Sequence, residues 1–156
     1  MELISRSIND TLKIGRAIAK GLKPEDIVCL SGNLGSGKTV LTKGIAMGLG
    51  IEKRKVISSS FILIRQHNNG KIPFYHFDLY RLKSPADIMS LGYEDYLYTN
   101  GIAVIEWADK LGYLLPKEYL GVKLITRTYS QRLLKFTAYG ARYKELIKEV
   151  RENFSH

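Results

Sequence analysis

Residues 32–39 read GNLGSGKT and match the pattern G-x-x-x-x-G-K-[ST] at every fixed position. Chains with this pattern wrap the loop backbone around phosphate oxygens, and glycine is needed because the backbone comes close to the ligand and takes unusual angles. An apolar run over 27–30 precedes the loop and a helical pattern over 38–49 follows it, which is the context that a phosphate site requires. The sequence therefore predicts that this chain binds a nucleoside triphosphate.

Two side chains at the end of this loop carry chemistry of their own. Lys38 is placed to reach the β- and γ-phosphates of a nucleotide, and the hydroxyl of Thr39 is placed to ligate Mg²⁺. The helix that begins here adds the positive end of its dipole. We therefore expect Mg²⁺ to accompany the nucleotide.

A magnesium site of this kind also needs a carboxylate at the end of a strand. Glu106 directly follows the fully apolar run over 102–105, and Asp78 ends the strand-like segment FYHFD. Glu106 is favoured because an acid directly after a fully apolar run is the stronger signal. Whether Glu106 ligates the metal or orients an attacking water, and whether Asp78 ligates it or only supports the loop, are alternatives that both stay open.

Three hydroxyls precede the strand-like segment that starts at position 61. In many nucleotide switches a serine or threonine at such a place meets the γ-phosphate and Mg²⁺. Ser58, Ser59 and Ser60 each fit this role, and an ordinary polar loop is the alternative interpretation.

The rest of the chain predicts alternating helices and strands, followed by hairpins. Helices are expected over 7–20 with Ser7 as the N-cap, over 38–49, in a short segment opened by Ser84 and Pro85, and after Gly140. Strands are expected over 27–30, 61–66, 72–77, 102–105, 120–126 and 133–138. The turn HNNG makes the second and third strands an antiparallel hairpin. This pattern indicates an α/β fold with a mixed parallel and antiparallel sheet.

Length and composition restrict the class of protein. A chain of 156 residues predicts a single domain over 1–156, and a net charge of +9 suits an anionic partner such as a nucleotide, RNA or an acidic protein face. One cysteine excludes an internal disulfide and favours a reducing compartment. No run is apolar enough to span a membrane or to serve as a signal peptide, so a cytoplasmic protein without membrane contact is expected.

Five segments together resemble the bacterial TsaE (YjeE) family, whose members are small P-loop ATPases required for threonylcarbamoyladenosine modification of tRNA. These segments are LSGNLGSGKTVLTKGIAMGLGI, VISSSF, HFDLYRL, LGYEDYL and GIAVIEWADKL, in family order. The resemblance covers nearly the whole chain and is weakest after about residue 120. One departure is that Ser58, Ser59 and Ser60 stand where the family usually has Ser-Pro-Thr, which keeps a hydroxyl and loses a proline.

The resemblance implies a P-loop NTPase-like three-layer α/β sandwich and a defined site. ATP and Mg²⁺ are the implied cofactors, with Thr39 and Glu106 at the metal and Trp107 at a position important for family function. Thr11 and Arg132 match residues near the nucleotide. The implied loop contacts to ATP are made by Gly35, Ser36, Gly37, Lys38, Thr39 and Val40.

The implied function is a weak ATPase that resets a tRNA-modifying transferase, with the γ-phosphate passing to water. The implied partners are the transferase proteins TsaD and TsaB, with tRNA reached through their complex. A small-molecule or nucleoside kinase is the main alternative, but such an enzyme needs an arginine-rich lid, and Arg54, Arg65 and Arg81 are scattered along the chain. A GTPase is disfavoured because no Asn-Lys-x-Asp segment occurs. A pure RNA-binding module is disfavoured by the intact Lys38 and Thr39 pair.

Overall fold

The computed structural model describes residues 1–57, 64–68 and 70–155, and seven strands in these ranges form one sheet. The strands are β1 (Glu2–Ser5), β2 (Ile27–Ser31), β3 (Ile64–His67), β4 (Phe74–Asp78), β5 (Ile102–Glu106), β6 (Tyr119–Thr126) and β7 (Arg132–Tyr139). The helices are α1 (Ile8–Gly21), α2 (Lys38–Gly48), α3 (Pro85–Met89), α4 (Glu94–Leu97) and α5 (Ala141–Ser155). Short 3₁₀ segments lie at Lys53–Lys55 and Ala108–Leu114.

The sheet has a parallel centre and antiparallel edges. Its strand order is β1-β7-β6-β2-β5-β4-β3, and β2 runs parallel to both β5 and β6, while β4 runs parallel to β5. The pairs β3–β4, β6–β7 and β1–β7 are antiparallel. The carboxyl ends of β2, β4 and β5 therefore meet at one edge, and the predicted mixed sheet is confirmed.

Helical segments cover the sheet on both faces. On one face α1, α2 and α5 enclose a core built around Leu30, Leu41, Ile45, Val104 and Leu146. On the other face α3, α4 and the 108–114 segment pack over a second core that includes Phe77, Ile88, Leu97 and Ile105. The three-layer α/β class expected from the sequence is confirmed. No helix within the described ranges has the length and apolar character needed to cross a bilayer.

Glycines allow α1 and α2 to pack with their backbones in contact. A Cβ atom at Gly15 would lie 2.7 Å from backbone atoms of α2, and one at Gly44 would lie 2.5 Å from the Leu12 carbonyl oxygen of α1. Real Cβ atoms do not approach this closely, so any larger residue would push the helices apart. Since α2 follows the phosphate-loop motif directly, this contact fixes where the loop ends.

Most predicted element ends lie close to the observed ones. Ser7 caps α1 by accepting a hydrogen bond from the Asp10 N–H at 3.0 Å, and Pro85 occupies the first turn of α3. β1 and α4 were not predicted, and α2 ends at Gly48 rather than at residue 49. The first three residues of the strand expected over 61–66 lie outside the described ranges. Ser58, Ser59 and Ser60, the candidates for the switch hydroxyl, also lie outside them. In the described part, β3 pairs antiparallel with β4 as expected.

One buried tyrosine ties the last helix to the central strand. The hydroxyl oxygen of Tyr143, a residue that is 4% exposed, accepts a hydrogen bond from the Ile27 N–H at 2.9 Å. Tyr143→Phe leaves this N–H without its acceptor, so we expect the free energy of unfolding to fall by about 1–3 kcal/mol. Urea denaturation measures the change.

The matched control is Tyr129→Phe, since the Tyr129 side chain is fully exposed at the β6–β7 turn. This variant is expected to unfold at the wild-type urea concentration. Equal stability of the Tyr143→Phe protein and the wild type would show that the hydrogen bond contributes nothing.

Candidate nucleotide site

The loop over 32–37 joins β2 to α2 and contains backbone angles that only glycine takes readily. Gly35 has φ of +78° and Gly37 has φ of +103°, both in the left-handed region. Gly37 is the N-cap of α2 and offers no side chain to the N–H groups of the first helical turn. These N–H groups and the helix dipole suit an anion such as phosphate.

Lys38 is held inside the loop. Its Nζ donates to the carbonyl oxygens of Gly32 at 2.7 Å and Asn33 at 2.9 Å, and to Oγ of Ser36 at 3.3 Å. The same ammonium lies 3.9 Å from the ring centroid of Trp107, within the range of a cation–π interaction. Burial lowers the pKa of Lys38, although the carboxylates of Glu106, Asp109 and Asp78 oppose this shift. The three oxygen atoms that accept hydrogen bonds from Lys38 are all neutral, and phosphate oxygens could replace them.

Thr39 and Glu106 are in direct contact. The Thr39 hydroxyl donates to Oε1 of Glu106 at 2.8 Å, which joins the first turn of α2 to the end of β5. Asp78, at the end of β4, is the direct cross-strand neighbour of Glu106. Hydroxyl and carboxylate oxygens are the ligands that Mg²⁺ prefers, so this donor set fits the expected ion.

Two cavities lie on either side of the loop. The first, of about 430 Å³, is lined by Lys38, Thr39, Asp78, Glu106 and Trp107, among others. The second, of about 490 Å³, is lined by Thr11 and Arg132 together with Ile8 and Tyr129. Gly35, Gly37 and Val40 border both cavities. The residues expected at the nucleotide therefore line two neighbouring cavities, and the loop borders both.

Arg132 supports the loop through its backbone. Its Nε donates to the Ser36 carbonyl oxygen at 3.2 Å, and its Nη2 donates to that of Gly35 at 3.4 Å. Thr11 is buried, and its hydroxyl is 2.7 Å from Oγ of Ser5. Both residues line the second cavity, and Arg132 also holds the loop through two of its carbonyl oxygens.

Trp107 follows Glu106 in a strained backbone conformation. Its φ of 60° and ψ of 39° are left-handed, which is costly for a residue with a bulky side chain. The ring packs against Tyr80 with 5.1 Å between centroids and covers the ammonium of Lys38. This turn brings the indole from the end of β5 to the phosphate loop.

The structure adds two residues that the sequence did not single out for the site. Arg81, one of the three scattered arginines, lines the first cavity beside Asp78 and Trp107. His76 is buried and its Nε2 is hydrogen-bonded to Oε2 of Glu106. Its position two residues before Asp78 is the signal that could have found it, because alternate residues of a strand share a face.

Known proteins are similar to this chain over most of its length. The model of the family described as "Threonylcarbamoyl adenosine biosynthesis protein TsaE" matches residues 5–134. The chain belongs to the TsaE family. The TsaE protein of Bacillus subtilis, described as a tRNA threonylcarbamoyladenosine biosynthesis protein, is 38% identical over 147 residues, covering 93% of this chain and 91% of that protein. The TsaE protein of a Nostoc species is 35% identical over 141 residues, covering 88% and 85%.

A solved structure extends the TsaE comparison to the fold. The crystal structure of YdiB from Bacillus subtilis matches with a TM-score of 0.83 at 34% sequence identity. The match covers 97% of this chain and 94% of YdiB. The family resemblance read from the five sequence segments is thereby confirmed.

The role of Arg132 in holding the loop is testable without any ligand. Arg132→Ala removes the donors to the Ser36 and Gly35 carbonyl oxygens, and we expect amide exchange of residues 33–37 to rise roughly fivefold or more. Hydrogen–deuterium exchange with mass spectrometry measures this, with α5 as the internal reference. Arg127→Ala, an exposed position on the same hairpin, serves as the control. Equal loop exchange in the two variants would contradict the supporting role.

Proposed function

We propose that this chain is the ATP-hydrolysing accessory protein of tRNA threonylcarbamoyladenosine biosynthesis. In this role it binds ATP with Mg²⁺, docks on the transferase proteins TsaD and TsaB, and resets them for another tRNA. It does not carry the threonylcarbamoyl group. The observation that most supports the proposal is the hydrogen bond from Thr39 to Glu106 beside Lys38, in a chain of the TsaE family.

The two cavities suggest how ATP lies on the loop. The triphosphate would follow the loop to Lys38 and Thr39 in the first cavity, where the acidic residues are. The nucleoside would lie in the second cavity, where Ile8, Val40 and Tyr129 offer apolar contact and Thr11 and Arg132 offer polar groups. Gly35 and Gly37 border both cavities, so one extended ligand can occupy both.

Five residues of the first cavity would have separate tasks in hydrolysis. Lys38 would exchange its carbonyl partners for the β- and γ-phosphate oxygens and neutralise their charge. Thr39 and Glu106, with Asp78 as a further candidate, would hold Mg²⁺, which would offset the charge that develops on the β–γ bridging oxygen of the leaving ADP. Glu106 would ligate the metal, orient the water whose oxygen bonds to the γ-phosphorus as the bond to the β–γ bridging oxygen breaks, or do both. Trp107 shields Lys38 from solvent on one side.

A dependence on partners is the behaviour we expect of a small P-loop ATPase. Both cavities are bordered by exposed side chains, Leu34 at the first and Tyr129 at the second. A small P-loop domain hydrolyses slowly until a partner completes or reorders its site. We therefore expect slow hydrolysis by the isolated chain and faster hydrolysis when the transferase proteins and tRNA are present.

The kinase alternative is the competing function. It requires that the γ-phosphate go to a small acceptor, and Arg81 in the first cavity is the kind of group that would assist such a transfer. The hydrolase is favoured because the TsaE family accounts for the segments HFDLYRL and IEWADKL as well as for the phosphate loop.

Following the label of γ-labelled ATP separates these functions. With Mg²⁺ and wild-type chain, we expect the label in free phosphate, at a rate that rises when the transferase proteins and tRNA are added. Lys38→Ala is expected to lower the rate by about 100-fold or more, because the transition-state charge loses one of the two cations, Lys38 and Mg²⁺, that would offset it. Label on a nucleoside or another small acceptor would instead identify a kinase.

The control for the lysine is Lys43→Ala. Lys43 lies on the same helix and lines neither cavity, so hydrolysis by this variant should match the wild type. Equal loss in both variants would point to damage to α2 and not to a phosphate contact.

A further inference from the structure

Glu106 is hydrogen-bonded through both of its carboxylate oxygens. Oε1 accepts from the Thr39 hydroxyl at 2.8 Å, and Oε2 is bonded to Nε2 of His76. Glu106 is 1% exposed and His76 is 2% exposed, so the contact between these two side chains lies in the protein interior. The carboxylate is therefore held between helix α2 and strand β4.

The chemistry of the two groups decides which one donates. A carboxylate only accepts hydrogen bonds, so Nε2 of His76 carries the proton that lies between them. A hydrogen bond to a charged acceptor in a dry site is stronger and more directional than one between neutral groups. The imidazole thus restricts rotation of the Glu106 carboxylate about its last torsion.

We propose that His76 is a positioning residue that orients Glu106 for Mg²⁺. The imidazole holds Oε2, and this leaves Oε1 directed at the Thr39 hydroxyl and the metal position beside it. This role rests on the proposed function, since it gives His76 a task only if the chain binds nucleotide with Mg²⁺.

The sheet explains why this task falls to His76. His76 and Asp78 are alternate residues of β4 and share the face that carries Glu106 on β5, with Asp78 as its direct cross-strand neighbour. Oδ1 of Asp78 accepts from the Tyr80 N–H at 3.1 Å and so holds the turn after β4. Loss of such a supporting partner typically costs 10–100-fold in metal affinity or activity.

Two polar substitutions separate the hydrogen bond from the bulk of the side chain. His76→Gln can place an amide N–H near the position of Nε2, whereas His76→Asn places it near that of Nδ1, too short to reach Glu106. We expect His76→Asn to raise the Mg²⁺ concentration at half-maximal nucleotide binding by about tenfold. His76→Gln should stay near the wild-type value, and both variants should bind nucleotide in EDTA as the wild type does.

Isothermal titration of ADP into the whole chain at a series of Mg²⁺ concentrations gives these values independently of hydrolysis. The matched control is His67→Asn, because His67 lies on the adjacent strand β3 and its Nε2 has no hydrogen-bond partner in the described part of the chain. This control is expected to keep the Mg²⁺ dependence of the wild type.

The outcomes distinguish the positioning role from the proposed function. A wild-type chain that binds no nucleotide with Mg²⁺ would overturn both. Two other outcomes would overturn the positioning role alone, provided that the wild type binds nucleotide in a Mg²⁺-dependent way. In the first, His76→Asn has the same Mg²⁺ dependence as the wild type. In the second, His76→Gln raises the required Mg²⁺ concentration as much as His76→Asn does. If neither variant folds, long-range ¹H–¹⁵N spectra of the wild-type imidazole decide, since a bare Nε2 at His76 contradicts the proposal.

Discussion

The hydrogen bond between Thr39 and Glu106 connects the two parts of the molecule that form the site. Thr39 belongs to the helix that ends the phosphate loop, and Glu106 ends a strand more than sixty residues later in the chain. The contact requires β2 and β5 to be parallel neighbours, because only then do the loop after β2 and the end of β5 meet at one edge of the sheet. Strand β4, which pairs with β5 on its other side, adds Asp78 and His76 next to Glu106.

Packing of α1 on α2 sets the other side of the site. The glycine contacts hold the two helix backbones together, so Thr11 of α1 comes to line the cavity next to Val40 of α2. Arg132, from the hairpin formed by β6 and β7, holds the loop carbonyls from the remaining side. The helices α1 and α2 and the β6–β7 hairpin therefore support one short loop in which Gly35 and Gly37 have left-handed backbone angles.

Local patterns were sufficient for the parts of the fold that depend on neighbouring residues. The glycine pattern of the loop, the Ser7 cap and the apolar runs of β2 and β5 were all readable from the sequence, and so was Glu106 at a strand end. β1 was missed because a four-residue strand has no distinctive period and forms only by pairing with β7, far away in the chain. The contact of His76 with Glu106 was missed for the same reason, since it depends on which strands are adjacent. The positions of Thr11 and Arg132 came from family resemblance, and the hydrogen bonds that hold them came only from the structure.

We propose that ATP hydrolysis at this site resets the transferase. The most direct test is to count threonylcarbamoyladenosine residues formed per transferase complex over many rounds, with TsaD, TsaB, tRNA and either wild-type chain or Glu106→Gln. We expect repeated rounds with the wild type and a single round with the variant, even when the variant binds ATP normally. Repeated rounds with Glu106→Gln at the wild-type rate would contradict it.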